Sequence, residues 1–67
     1  MDYGRFKMLE VAQDFLRDIL ADGERPATEI YGEGISFGLS ERTLDRAKAA
    51  LGIGSKRDGK TWVWELP

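Results

Sequence analysis

Between Phe6 and Ala21 the apolar residues Met8, Val11, Ala12, Phe15, Leu16, Ile19 and Leu20 recur at steps of three and four. That spacing predicts an amphipathic helix over about 6–21, with one face buried. Asp22-Gly23 ends it, with Gly23 free to take the left-handed conformation past a helix end, and Pro26 follows in the connecting turn. A second segment starts at Ala27 or Thr28, with Glu29 set against the positive end of the helix dipole and Ile30, Tyr31, Ile35 and Phe37 as apolar contacts. It reads as a short helix over about 28–37, weakened by Gly32 and Gly34, which invite a break or kink at a cost of up to about 1 kcal/mol each. Gly38-Leu39-Ser40 then predicts a tight turn into a third helix over about 41–51. Ser40 is its N-cap, accepting from the Thr43 amide, and Leu39 can pack on Leu44 as a hydrophobic staple. Gly52 ends this helix, and the remainder alternates as strands do. Ile53–Arg57 and Thr61–Leu66 flank Asp58-Gly59, a strong hairpin signal.

Helix, turn and capped helix make a helix-turn-helix layout. Three helices followed by a hairpin over about 53–66 predict a mainly α winged helix-turn-helix with a two-stranded wing. Residues 1–67 form one domain, with no repeat, low-complexity stretch or internal linker. Trp62, Trp64 and Leu66 share one strand face and read as core-facing, since so small a domain needs large apolar side chains. The competing reading, an aromatic platform for single-stranded bases, has less behind it.

Composition removes several kinds of chemistry. The chain has no cysteine and no histidine, which excludes disulfides, Cys/His zinc sites, cysteine nucleophiles and Ser-His pairs. No apolar run reaches the roughly 18 residues of a membrane helix, and Met1-Asp2-Tyr3 does not open a signal peptide. A soluble, cytoplasmic module without membrane contact, cofactor or metal is expected. A domain of this size buries only about 60% of its unfolded surface, too little to build a large substrate-enclosing pocket, so no enzymatic activity is expected.

The net charge of −2 hides an uneven distribution. Residues 1–39 carry four basic and eight acidic residues, a balance of −4; residues 40–67 carry six basic and four acidic, a balance of +2. Stepping about 100° per residue along the third helix, Leu44, Ala47 and Leu51 form the core stripe. Arg42, Arg46 and Ala49 fall on the far side. Two arginines one turn apart suit bidentate contacts to phosphate or guanine, and a small residue beside them permits close approach to a groove. Lys56, Arg57 and Lys60 surround the hairpin turn, where they could contact backbone phosphates. The alternatives are a solvated helix face balanced by Glu41 and Asp45, and an edge strand kept soluble by lysine.

Glu10, Asp14, Asp18 and Asp22 lie four apart along the first helix. A straight stripe does not converge on a point, so it reads as a solvated face or a docking surface rather than a Mg²⁺ or acid–base site. Gly32-Glu33-Gly34 lacks the strand and Gly-Lys-Ser/Thr of a phosphate loop and reads as flexibility in the second helix.

Three stretches carry a family resemblance: Phe15-Leu16-Arg17-Asp18-Ile19-Leu20-Ala21-Asp22-Gly23, Leu39-Ser40-Glu41-Arg42-Thr43-Leu44-Asp45-Arg46-Ala47-Lys48, and Leu51-Gly52-Ile53 with Trp62-Val63-Trp64-Glu65-Leu66-Pro67. From about Val11 onward the chain resembles the C-terminal winged-helix segment of phage and mobile-element replication proteins, the tails of primase–helicase or RepA-like AAA-type ATPase chains. The resemblance implies a DNA-contacting accessory domain whose ATPase or primase chemistry lies in a parent chain. It adds Thr43 and Lys48 to Arg42 and Arg46 as recognition-helix positions, and matches Trp62 and Trp64 to the family's last strand. Gly32, Gly34 and the short hairpin turn depart from the family pattern. Double-stranded DNA is the expected partner. The alternative is a protein-interaction domain docking a replication protein through its acidic first helix or an exposed tryptophan.

Overall fold

A computed structural model describes residues 3–67, with side-chain surroundings from Lys7 onward. Met1 and Asp2, on which the signal-peptide expectation partly rests, lie outside the described residues. The elements run α1 (Tyr3–Ile19), β1 (Arg25–Pro26), α2 (Ala27–Ser36), α3 (Glu41–Leu51), β2 (Gly54–Asp58) and β3 (Thr61–Glu65). The three helices thus fall close to their expected positions. The sheet has one strand more than expected: it is three-stranded and antiparallel, in the order β1-β3-β2. Arg25 and Pro26 pair with Trp64 and Val63 instead of forming a plain connecting turn. Proline is tolerated there because β1 is an edge strand and one ladder donor is dispensable.

The core is a single cluster built from the apolar sides of the three helices, from Trp64 of β3 and from Leu20, Leu39 and Ile53 in the connections. Ala12 and Leu16 of α1 and Leu20 just past it meet Ile30, Leu39, Leu44, Ala47, Ile53 and Trp64, while Leu9, Phe15, Ile19, Tyr31 and Leu51 are half-buried against it. Leu16, Ile30 and Leu44 are the largest completely buried side chains. Each such residue stabilises the fold by roughly 1.5–3 kcal/mol relative to leaving it in water. No described side-chain polar atom is buried without a hydrogen-bond partner.

Local chemistry sets the element ends. Leu20–Asp22 form a turn after α1, and Gly23 takes a φ of 132° that side-chain-bearing residues rarely adopt. α2 runs unbroken through Gly32 and Gly34, against the expected break. Gly34 is buried because α3 crosses against it: a Cβ there would stand 2.6 Å from Leu44 Cδ1. This glycine is a contact point between helices, not a flexible joint. The α2–α3 turn closes as a Schellman motif. The Leu39 amide donates to Gly34 O (2.8 Å) and the Gly38 amide to Ile35 O (3.0 Å), with Gly38 at φ 101°. Ser40 caps α3 by accepting from the Thr43 amide (3.2 Å), as expected. The Ile53 amide donates to Lys48 O at the end of α3, so β2 begins one residue later than expected, at Gly54.

The hairpin turn also sits one residue later. Asp58 is the last strand residue, paired with Thr61, so Gly59-Lys60 forms the two-residue loop. Gly59 alone has positive φ (66°), which matches a turn with glycine at its first central position. Trp62 and Leu66 were expected in the core, yet they are 51% and 37% exposed, whereas Val63 and Trp64 are buried. The reason is tertiary: Trp64 packs edge-to-face on Tyr31 of α2 and joins the core cluster, whereas Trp62 stands beside Arg57 in solvent; Val63, paired between Pro26 and Lys56, is buried on the opposite strand face outside that cluster.

Candidate nucleic-acid interface

The outer face of α3 is built by subtraction. Leu44 and Ala47 are buried and Leu51 is half-buried, so the opposite side of the helix faces solvent with Arg42, Asp45, Arg46, Ala49 and Ala50 exposed. Arg42 and Arg46 lie one turn apart there and have no ion-pair partner among the described residues. Asp45, which could have neutralised them, is turned towards α2, where it accepts a hydrogen bond from the Tyr31 hydroxyl at 2.5 Å. Burial, and then the Asp45 carboxylate, pushes the Tyr31 pKa up to about 12, so the hydroxyl stays a donor across the physiological range.

Thr43 is half-buried beside this face, and its Oγ1 is 2.9 Å from Ser40 Oγ, which ties its hydroxyl to the N-cap. Lys48 is likewise occupied. Its ammonium donates to Ser55 Oγ and lies 4.8 Å from the centroid of the Trp64 ring. Trp64 in turn meets Tyr31 edge-to-face at 5.2 Å. Tyr31, Asp45, Lys48, Ser55 and Trp64 therefore join α2, α3 and both hairpin strands, holding the hairpin at a set position beside α3. Lys48 has a positioning role, and its charge is directed inward to the sheet.

The hairpin cations divide the same way. Lys56 sits between Glu24 (2.8 Å) and Glu65 (3.5 Å). Its hydrogen bond to Glu24, reinforced by both carboxylates, raises its pKa above the ordinary lysine value. Arg57 instead projects along the hairpin. Its guanidinium lies 5.7 Å from the Trp62 ring centroid, and its Nε donates to Gly59 O (3.2 Å). Lys60, in the turn, is exposed and has no ion-pair partner among the described residues. Of the eight expected contact residues, Arg42, Arg46 and Ala49 share one open face and Arg57 and Lys60 share the hairpin tip. Thr43, Lys48 and Lys56 are engaged within the molecule.

Trp62, read as core-facing in preference to an aromatic platform, lies at the surface. Paired with Arg57 across the hairpin, it presents an aromatic ring and a guanidinium side by side in solvent. With the loop at Gly59-Lys60, one residue past the Asp58-Gly59 signal, Arg57 falls opposite Trp62. Among the described residues no group of three or more acidic side chains is arranged to hold a metal ion, and no helix is long and apolar enough to cross a membrane. Comparison with family models, curated proteins and solved structures finds no match for this chain.

Proposed function

We propose that the chain is a winged-helix module that binds double-stranded DNA, with α3 entering the major groove and the β2–β3 hairpin acting as the wing. The observation that carries this reading is the unpaired Arg42–Arg46 pair. In a chain of net charge −2, these guanidinium groups lie on the exposed face of the second helix of a helix-turn-helix, next to Ala49. In that motif this face reads base edges. The antiparallel β1-β3-β2 sheet and the tight α2–α3 turn support the winged form, and Arg57, Lys60 and Trp62 give the wing a cationic and aromatic tip. The resemblance to replication-protein tails supports an accessory role in a larger primase- or helicase-type chain, with no catalysis in this domain.

Four exposed cations, Arg42, Arg46, Arg57 and Lys60, imply at most about four phosphate contacts and a logarithmic salt slope near −3 to −4. Affinity of an isolated domain is then modest, and tandem copies or a parent chain raise it. Titration with duplex DNA at two salt concentrations tests the reading. Arg42→Ala and Arg46→Ala should each weaken binding, by about 1–3 kcal/mol where the arginine reads a base. Lys56→Ala should have little effect, because that ammonium is held by Glu24 and Glu65. A flat salt response, or arginine variants that bind like the parent, overturns the proposal.

A further inference from the structure

The apolar stripe of α1 is wider than the surface that α2 and α3 cover. Ala12 and Leu16 are completely buried, but Val11 on the flank is 38% exposed and Phe15 and Ile19 are half-buried. Just past α2, Phe37 is 63% exposed and stacks on Phe15 with ring centroids 5.7 Å apart. Together these four side chains floor a cleft of about 510 Å³ between α1 and α2, lined further, among the described residues, by Asp14, Asp18 and Glu33. No residue of α3 or the sheet lines it. Exposed apolar side chains rimmed by polar ones are the kind of surface that protein interaction sites use.

The charge around the floor selects the occupant. Asp14 is paired with Arg17 (3.2 Å), and Glu33 shares Arg25 with Glu29 (2.7 and 3.0 Å). Asp18 has no ion-pair partner among the described residues. Four carboxylates thus stand against two guanidinium groups, and the cleft keeps a negative field over an apolar floor. Val11 to Ile19 spans two helical turns, about 12 Å, which matches the i, i+3/i+4, i+7 anchors of a short helix laid in a groove. We infer that this cleft docks a basic amphipathic helix from a partner protein, its apolar side on Phe15 and Phe37 and its lysines or arginines against Asp14, Asp18 and Glu33. This surface is separate from the α3 face and does not rest on the DNA reading.

The test uses the full 67-residue chain and three synthetic helical peptides of about 14 residues. One carries a leucine/phenylalanine stripe flanked by lysine and arginine, the second carries glutamate in place of the basic residues, and the third is the basic peptide scrambled to destroy the stripe. In heteronuclear NMR titrations the basic amphipathic peptide should shift Val11, Phe15, Ile19 and Phe37, while the other two leave them unchanged. Phe37→Ser should abolish the shifts. Asp18→Lys should weaken binding roughly fivefold, the upper end for an exposed charge pair. Both substituted positions are exposed, and unchanged thermal melting verifies the fold of each variant. Equal response to basic and acidic peptides, or to the scrambled one, overturns the inference. So does concentration-dependent self-association that Phe37→Ser removes, since a second copy would then be the occupant. Duplex DNA titration of Phe37→Ser separates this outcome from the DNA proposal, because that variant should bind DNA as the parent does.

Discussion

Replacing Gly34 by alanine tests the packing that orients α3. Two opposed effects operate. Alanine is favoured over glycine in a helix interior by about 1 kcal/mol. The new Cβ, however, would stand 2.6 Å from Leu44 Cδ1, 3.2 Å from Cδ2 and 3.4 Å from Cγ, against an optimum of about 3.5–4.0 Å for carbon pairs. Leu44 is completely buried, so its methyl groups can give way only by repacking against close-packed core neighbours. Overpacking of this kind costs typically about 1–3 kcal/mol. Gly32 supplies the internal control: it lies on the same helix, is exposed, and a Cβ there meets nothing within 4 Å. Gly32→Ala should therefore stabilise by about 0.5–1 kcal/mol, whereas Gly34→Ala should destabilise by up to about 2 kcal/mol. The difference between them isolates the steric part, about 1–3 kcal/mol, and it is large for a domain whose core supplies only about 3–5 kcal/mol. Urea denaturation measures it directly, and thermal melting should separate the two variants by several degrees, at about 4–8 °C per kcal/mol. Leu44→Ala should cost less in the Gly34→Ala background than in the parent, because the shortened side chain makes room for the new methyl. If Gly34→Ala proves as stable as Gly32→Ala, the close crossing of α2 and α3 is wrong, and with it the orientation of Arg42 and Arg46.

Two further outcomes follow from the hydrogen bonds. The Tyr31 pKa is raised to about 12 in the folded state, from an ordinary value of 10.0. The stabilisation linked to that shift is complete below pH 10 and is lost as pH rises towards 12, where the unfolded chain has already released the proton; equilibrium unfolding should show this decline, and Tyr31→Phe should flatten it relative to the parent. Ser40→Ala removes the side-chain cap of α3 and should cost about 1 kcal/mol, with Ser40→Asp retaining most of the stability; a costless alanine would mean that the cap contributes nothing.

Much of the fold was legible along the chain, for reasons that are local. The periodic stripe of α1, the Ser40 cap and the glycine after α3 act through neighbours three to five residues away, so sequence spacing alone specifies them. The outward direction of Arg42 and Arg46 was legible too, since the buried stripe of Leu44, Ala47 and Leu51 leaves only one side for them. What the spacing could not convey was which cations would find partners elsewhere. Lys48 meets Ser55 and Trp64, and Lys56 meets Glu24 and Glu65; the two glutamates lie 32 and 9 residues from Lys56 in the chain, beyond the reach of any local pattern.

The same division accounts for the glycines and aromatics. Glycine carries a known propensity cost in a helix, so Gly34 reads from sequence as a weak point. Only the crossing of α3, which brings Leu44 to that backbone, turns its missing side chain into a requirement. Trp62 and Trp64 alternate identically along the strand, and no periodicity distinguishes them. The helix layer ends between them, burying one against Tyr31 and leaving the other beside Arg57. Element identity was thus decided by interactions within a few residues. The open surfaces at α3, at the hairpin tip and between α1 and α2 were decided by where distant elements stop covering one another.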